Sequence, residues 1–276
     1  MDAESIKQVK PDALTPAEIE AKCEGVGVTK VGMGTAKTLV AAMLAGAFIA
    51  FGGMYFCVFL GDTTMPFGVQ RVVGGLCFCL GLSLVVTCGC ELFTGNSLML
   101  AAKASNKISW GGLARNWGLV WLGNLIGSLI AMFFIYMAQV YLMNGGAVGA
   151  TMVSVAAGKV ALPPLVMFFK GIMCNILVCL AVWISFGART MVDKIVGILL
   201  PISAFVACGF EHSVANMFFL PTGLLLNTVA GVGTPGAVTL AGVATNLVIV
   251  SLANAVGGGL IALAYWFAYG PGKKSA

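Results

Sequence analysis

One histidine, two carboxylates set in otherwise uncharged stretches and a group of asparagines are the residues most able to do chemistry in this chain. Glu91 and Glu211 sit in two runs that echo each other. The first is Cys88-Gly89-Cys90-Glu91-Leu92-Phe93-Thr94-Gly95-Asn96, and the second is Cys208-Gly209-Phe210-Glu211-His212-Ser213-Val214-Ala215-Asn216. Both read C-G-x-E-x-x-x-x-N, beginning at positions 88 and 208, 120 residues apart. Downstream, Gly123-Asn124-Leu125-Ile126-Gly127 is matched by Ala253-Asn254-Ala255-Val256-Gly257. A carboxylate at bilayer depth costs roughly 3 kcal/mol or more, so two at equivalent points need a common reason. A broken helix supplies it. Gly89 and Gly209 let the backbone leave α geometry, and the freed N–H and C=O groups must then find partners. Glu91 and Glu211 are expected to accept hydrogen bonds from the unwound amides, a bracing role that outweighs direct substrate contact. Asn96, Asn216, Asn124 and Asn254 offer both donors and acceptors and suit the same work.

His212 is the only histidine. Burial and a neighbouring carboxylate pull an imidazole in opposite directions, which poises it to change charge in the physiological range. Lone histidines are commonly structural; the place of this one, at a repeated helix break, points to function. Thr94 occupies the neighbouring slot of the first run and could offer a hydroxyl across a pore. The single histidine excludes a bis-histidine haem anchor and a twin-histidine ammonium channel. No Asn-Pro-Ala signature occurs, so a water or glycerol channel of the major intrinsic type is excluded as well. Nine cysteines, with no Cys-x-x-Cys, read as small packing residues and not as a metal site. No cofactor, metal or catalytic residue is expected.

The elements that hold these residues are membrane helices. The chain of 276 residues is 59% hydrophobic and 9% charged, with a mean hydropathy of +1.00, against roughly 25% charged in soluble domains. A soluble enzyme, a nucleic-acid binder and an outer-membrane barrel are all excluded, because the apolar runs are continuous and exceed the roughly 20 residues of a helical crossing. Six spans are expected, at 38–60, 69–102, 112–143, 161–186, 195–226 and 238–269. Residues 1–37 form a hydrophilic N-terminal segment and 270–276 a tail, with no cleaved secretory signal. With both termini cytoplasmic, twelve Lys and Arg fall inside, Arg71 and Lys159 outside, and Lys170 within span four. Lys170 is expected to snorkel or to pair with a carboxylate. Three spans per half force the repeated halves to insert with opposite sense. Thr15-Pro16-Ala17-Glu18 predicts a capped helix over 16–24, an interfacial anchor or, alternatively, a movable plug.

Several runs resemble the formate–nitrite transporter family over nearly the whole chain. They include Thr64-Met65-Pro66-Phe67-Gly68, Glu91-Leu92-Phe93-Thr94-Gly95-Asn96, Lys103-Ala104-Ser105, Val178-Cys179-Leu180-Ala181-Val182-Trp183 and, most specifically, Gly209-Phe210-Glu211-His212-Ser213-Val214-Ala215-Asn216-Met217. The resemblance implies an all-α, aquaporin-like protomer with helices two and five interrupted, assembled as a homopentamer in the inner membrane. It implies a pore chamber of His212, Thr94 and Asn254, a cytoplasmic slit of Phe78, Leu82 and Phe205, and an outer slit at Phe93 with Leu92. Asn175 on span four and Lys159 near the outer vestibule also match family positions, Lys159 as the lure for anions. The implied cargo is a small monovalent anion of a weak acid, neutralised by a proton on the way. The Thr-Met-Pro-Phe-Gly run is similar to the formate branch, whereas Phe168-Phe169-Lys170-Gly171 is closer to the nitrite branch. Formate leads, with nitrite or hydrosulfide next and a neutral-solute channel as a further alternative. A membrane anchor for a soluble redox enzyme finds neither docking loops nor a ligand set.

Overall fold

The computed structural model describes residues 13–270, so Lys7, Lys10 and the tail after Gly270 lie outside the described residues. Among the described residues the chain is all helical. Helix α1 is Pro16–Gly32 and α2 is Thr35–Leu60. Helix α3, Phe67–Thr87, is followed after a break by a short 3₁₀ turn, Gly95–Met99, and by α4, Leu100–Ala104. Next come α5, Trp110–Met137, α6, Ala147–Val160, and α7, Pro164–Gly187. Helices α8, Met191–Ala207, and α9, Ser213–Thr228, flank the second break, and α10 is Leu240–Tyr269.

Five helices, α2, α3, α5, α7 and α10, are long and apolar enough to cross a membrane. The expected span at 195–226 is instead shared between α8 and α9, each too short to cross alone. Large apolar side chains such as Phe133, Leu165, Leu200 and Phe267 face outward on these helices, as they do where lipid is the solvent. The protein is a multi-pass membrane protein.

Helix ends follow local signals. Thr15 caps α1 and Thr190 caps α8, each in a reciprocal box with Glu18 or Asp193. Ser109 and Thr239 cap α5 and α10. Helix α1 continues to Gly32, past the limit of residue 24 that its capping signal predicts. The run at 112–143 ceases to be α-helical after Met137, with only the 3₁₀ turn Val140–Leu142 beyond it, and α6 follows it as a separate element that apolar length does not reveal.

Small residues set the packing. Helix α2 crosses α5 where Gly127 lies against the Met43 backbone, and α7 crosses α10 where Gly257 lies against the Ile172 backbone. A β-carbon at either glycine would collide with main chain, so these crossings depend on its absence. Of the nine cysteines, seven are buried, and only Cys88 and Cys208 are exposed.

Candidate functional site

Each long interrupted segment ends its first helix in the same way. Gly89 and Gly209 adopt left-handed φ values of 75° and 67°, and the next amide closes the turn: Cys90 donates to the Val85 carbonyl and Phe210 to the Phe205 carbonyl, both at 3.0 Å. This is a glycine-terminated helix end of the Schellman type. The chain then crosses to a neighbouring helix. Glu91 N–H donates to the Ala41 carbonyl on α2, and Glu211 N–H to the Lys170 carbonyl on α7, both at 3.2 Å.

Asparagines brace both breaks. Asn124 Oδ1 accepts from Phe93 N–H at 2.9 Å, while its Nδ2 donates to the carbonyls of Ala42 and Glu91. Asn254 Oδ1 accepts from Ser213 N–H at 2.8 Å, while its Nδ2 donates to the carbonyls of Gly171 and Glu211. The expectation that the glutamates accept from unwound amides is therefore corrected. A side-chain amide presents donor and acceptor together, which a carboxylate does not. Asn254, expected in the chamber, spends both ends of its amide on this bracing.

The two carboxylates instead anchor ion pairs. Glu91 accepts from Lys30 Nζ at 2.7 Å and from Asn96 Nδ2 at 2.8 Å; Glu211 accepts from Lys159 Nζ at 2.9 Å and from Asn216 Nδ2 at 2.7 Å. Asn96 and Asn216 also donate to Asn116 and Asn246, respectively. The sequence assigns no role to Lys30, Asn116 or Asn246. Lys30 lies in a helix that reads as a surface anchor, and the two asparagines lie outside the repeated runs. The signal for Lys30 is one of accounting: a buried Glu91 needs a cation.

His212 stands first in the second segment beyond its break. Its Nδ1 accepts from Ala215 N–H at 3.0 Å, so the ring caps α9. With Nδ1 an acceptor, the ring proton sits on Nε2 and points to Thr94 Oγ1, also at 3.0 Å. Among the described residues no carboxylate is hydrogen-bonded or ion-paired to the ring; Phe205 stacks on it, with centroids 5.7 Å apart. Asn175, fully buried, fixes the other side of Thr94 by donating to its carbonyl at 3.1 Å and to the Asn254 carbonyl at 2.6 Å.

A cavity opens at each break. One, of about 250 Å³, holds Lys159, Glu211, His212, Phe78, Phe205 and Phe219. The other, of about 340 Å³, holds Lys30, Glu91, Leu82 and Leu92 and is lined on one side by α1 through Cys23, Val26 and Gly27. The expected slits thereby exchange members: Phe78 and Phe205 face the cavity of Lys159, whereas Leu92 faces the other. Phe78 and Leu82, about 6 Å apart along α3, line different cavities. Phe93 lines neither cavity and packs edge-on to Trp117, with centroids 6.1 Å apart. Lys170 lines the Lys159 cavity, and its Nζ makes no hydrogen bond or ion pair among the described residues, so the expected carboxylate partner is not found.

Two mirrored breaks around one buried imidazole match a known pattern. The profile of the formate/nitrite transporter family covers residues 17–267. The chain belongs to this family. It is 39% identical over 274 residues to the formate channel FocA of Escherichia coli (strain K12), covering 94% of this chain and 95% of that one. It is 36% identical over 235 residues to the nitrite transporter NirC of the same organism, covering 83% and 82%. A solved structure described as a pentameric formate channel with formate bound superposes with a TM-score of 0.80 at 39% identity, covering 85% of this chain and 97% of that one.

Proposed function

We propose that this family member is an inner-membrane channel for small monovalent anions of weak acids, formate first, working as a homopentamer with one route through each protomer. The relatives named for formate, and the neighbour described as pentameric with formate bound, support the cargo and the assembly. The charge bias of the loops supports a cytoplasmic N-terminus, which makes the Lys30 cavity the inner mouth and the Lys159 cavity the outer one. The matched hydrogen bonds of the two breaks support two three-span halves of opposite sense.

The observation that carries the reading is the buried Nε2–H···Oγ1 pair of His212 and Thr94, together with a cavity at each break that holds a lysine–glutamate pair. A bare anion loses its hydration in an apolar ring and regains little. Lys159 raises the anion concentration at the mouth. Phe78 and Phe205 then strip water, and Nε2–H and the Thr94 hydroxyl are donors that lie beyond them. Both can swing from each other to an arriving carboxylate oxygen. For the ring to hand over a whole proton it must first hold one on Nδ1, which costs the hydrogen bond to the Ala215 amide. The proton and the anion then cross the Leu82–Leu92 side as a neutral acid. Asn254, Asn124, Asn175 and Asn216 support the breaks from outside the cavity linings, while Asn96, Glu91 and Glu211 do so from the cavity walls.

The test is a panel of formate, nitrite, hydrosulfide, acetate and lactate in proteoliposomes at two pH values, for the wild type and for His212→Phe. Losing the donor to a charged oxygen removes about 1.5–3 kcal/mol, so proton-linked formate flux should fall roughly 10- to 100-fold. A His212→Phe protein with unaltered flux and pH dependence would refute the role of the ring. Preference for nitrite over formate would move the cargo to the NirC side of the family; fluxes indifferent to pH and to His212 would favour a neutral solute.

A further inference from the structure

The two cavities are braced alike but charged differently. Around the Lys30 cavity the only Asp, Glu, Lys or Arg are Lys30 and Glu91, which cancel. The Lys159 cavity adds Arg71 and Lys170 to the Lys159–Glu211 pair, giving three cations against one carboxylate. Glu211 cannot serve the extra two, because its oxygens are occupied by Lys159, Asn216 and Asn246.

Arg71 is fixed. Its Nε donates to the Ala207 carbonyl at 2.8 Å and its Nη2 to the Val206 carbonyl at 3.0 Å, at the carbonyl end of α8, where a cation is favoured. Lys170 comes from α7, and its head group has no protein partner among the described residues. The two converge over Gly209: a β-carbon there would lie 2.9 Å from Arg71 Nη2 and 4.0 Å from Lys170 Nζ. Like charges drawn so close repel. Here they share a half-open space that glycine leaves free, with hydrogen-bond donors to spare. That arrangement lacks one component, a small anion between them.

We propose that Arg71 and Lys170 form a capture site for an ionised monovalent anion at the Lys159 mouth, and that this site makes the two faces of the channel unequal. The proposal rests on the transport reading above. An anion entering from the Lys159 side is bound before it reaches Lys159 and His212; one entering from the Lys30 side meets a neutral lining. Half-saturation is therefore reached at lower concentration from the Lys159 side. The route is passive, so tighter capture there is offset by slower release toward that side, and the final distribution of the anion is unchanged.

Formate influx into right-side-out and inside-out membrane vesicles tests this, using the wild type, Lys170→Met and Lys170→Arg. Removing one unit charge at roughly 6–8 Å in a wet mouth should raise the apparent KM from the Lys159 side about five- to tenfold at low salt. Entry from the other side should change less than twofold, and Lys170→Arg should restore the wild-type value. The difference should shrink as ionic strength passes ~0.1 M, where the Debye length is about 10 Å; a merely structural effect would not respond to salt. In parallel, formate should raise the melting temperature of the purified wild-type protein more than that of Lys170→Met. Equal KM values and equal formate-induced shifts for wild type and Lys170→Met overturn the capture site, even where flux is intact. A wild type that gains thermal stability through Lys170 yet moves no formate upholds the site and overturns the transport reading.

Discussion

The break before His212 and the break before Leu92 share a hydrogen-bond plan, and the side chain at this matched position sets them apart. The repeat puts His212 where the first run has Leu92. In both segments the amide five residues beyond the glutamate returns to the equivalent carbonyl, Asn96 to Leu92 and Asn216 to His212, at 2.9 Å. Beyond that the segments part. His212 Nδ1 satisfies the Ala215 amide and an α-helix of 16 residues follows. Leu92 has nothing to offer, and the chain tightens into the 3₁₀ turn Gly95–Met99 before α4. A helix start without a side-chain cap commonly meets its orphan amides by such tightening. Duplication thus supplies two equivalent frames; at the matched position His212 caps a helix in one, and Leu92 stays apolar in the other.

The largest effects come from unpairing the buried carboxylates. Lys30→Met leaves Glu91 without its cation, and Lys159→Met does the same to Glu211. Each should cost about 3–5 kcal/mol in the stability of the purified protein, read as a lowered melting temperature, with partial recovery in Lys30→Met/Glu91→Gln and Lys159→Met/Glu211→Gln. Similar losses at the two sites would sharpen the equivalence of the frames; a loss at only one would break it. Asn124→Ala and Asn254→Ala come next. Each removes three hydrogen bonds, and at ~0.6 kcal/mol apiece in a membrane setting the expected loss is roughly 2 kcal/mol, equal for both within error.

The smallest effect separates the frames. Only the Lys30 side depends on α1, and α1 is seated through Glu20 and Glu24. Glu24 accepts from Ser105 Oγ and pairs with Lys107, and Ser105 also takes the Trp266 indole N–H at 2.9 Å. Burial, and then the hydrogen bond and charge of Glu24, push the Glu20 carboxyl up from 4.5 to about 7, with Lys107 pulling the other way. A folded-state value above the unfolded one means the protonated acid suits the fold. Its contribution is present in full below pH 4.5 and is lost as pH rises toward about 7. Glu20→Gln should therefore slow amide hydrogen exchange in α1 at pH 7.5, by a margin that narrows toward pH 5. Amides of α9 should not respond.

Much of this architecture is legible in the residues because its bonds are short-range in sequence. Glu91 reaches Asn96 and Glu211 reaches Asn216 across five positions, so C-G-x-E-x-x-x-x-N encodes glycine turn, carboxylate and amide in one string. Asn124 and Asn254 are readable as braces because they recur in matching places. Lys30 is not, since its partner is 61 residues away and α1 carries no apolar length to mark it as part of the cavity wall. Nor is the sidedness of the rings. Phe78 and Leu82 lie on one stripe of α3, and which of them meets which cavity depends on helix rotation and on where each cavity ends, not on spacing. Helix α6 is missed because a 14-residue segment of small residues falls below any length threshold for a span.

The paired cysteines at the breaks have a practical consequence. Cys88 and Cys208, the only exposed thiols, each stand one residue before a left-handed glycine, Gly89 in the lining of the Lys30 cavity and Gly209 in that of the Lys159 cavity. Nature has already installed matched attachment points, so a charged maleimide added to sealed vesicles would report which end of the molecule faces the medium without any engineered residue.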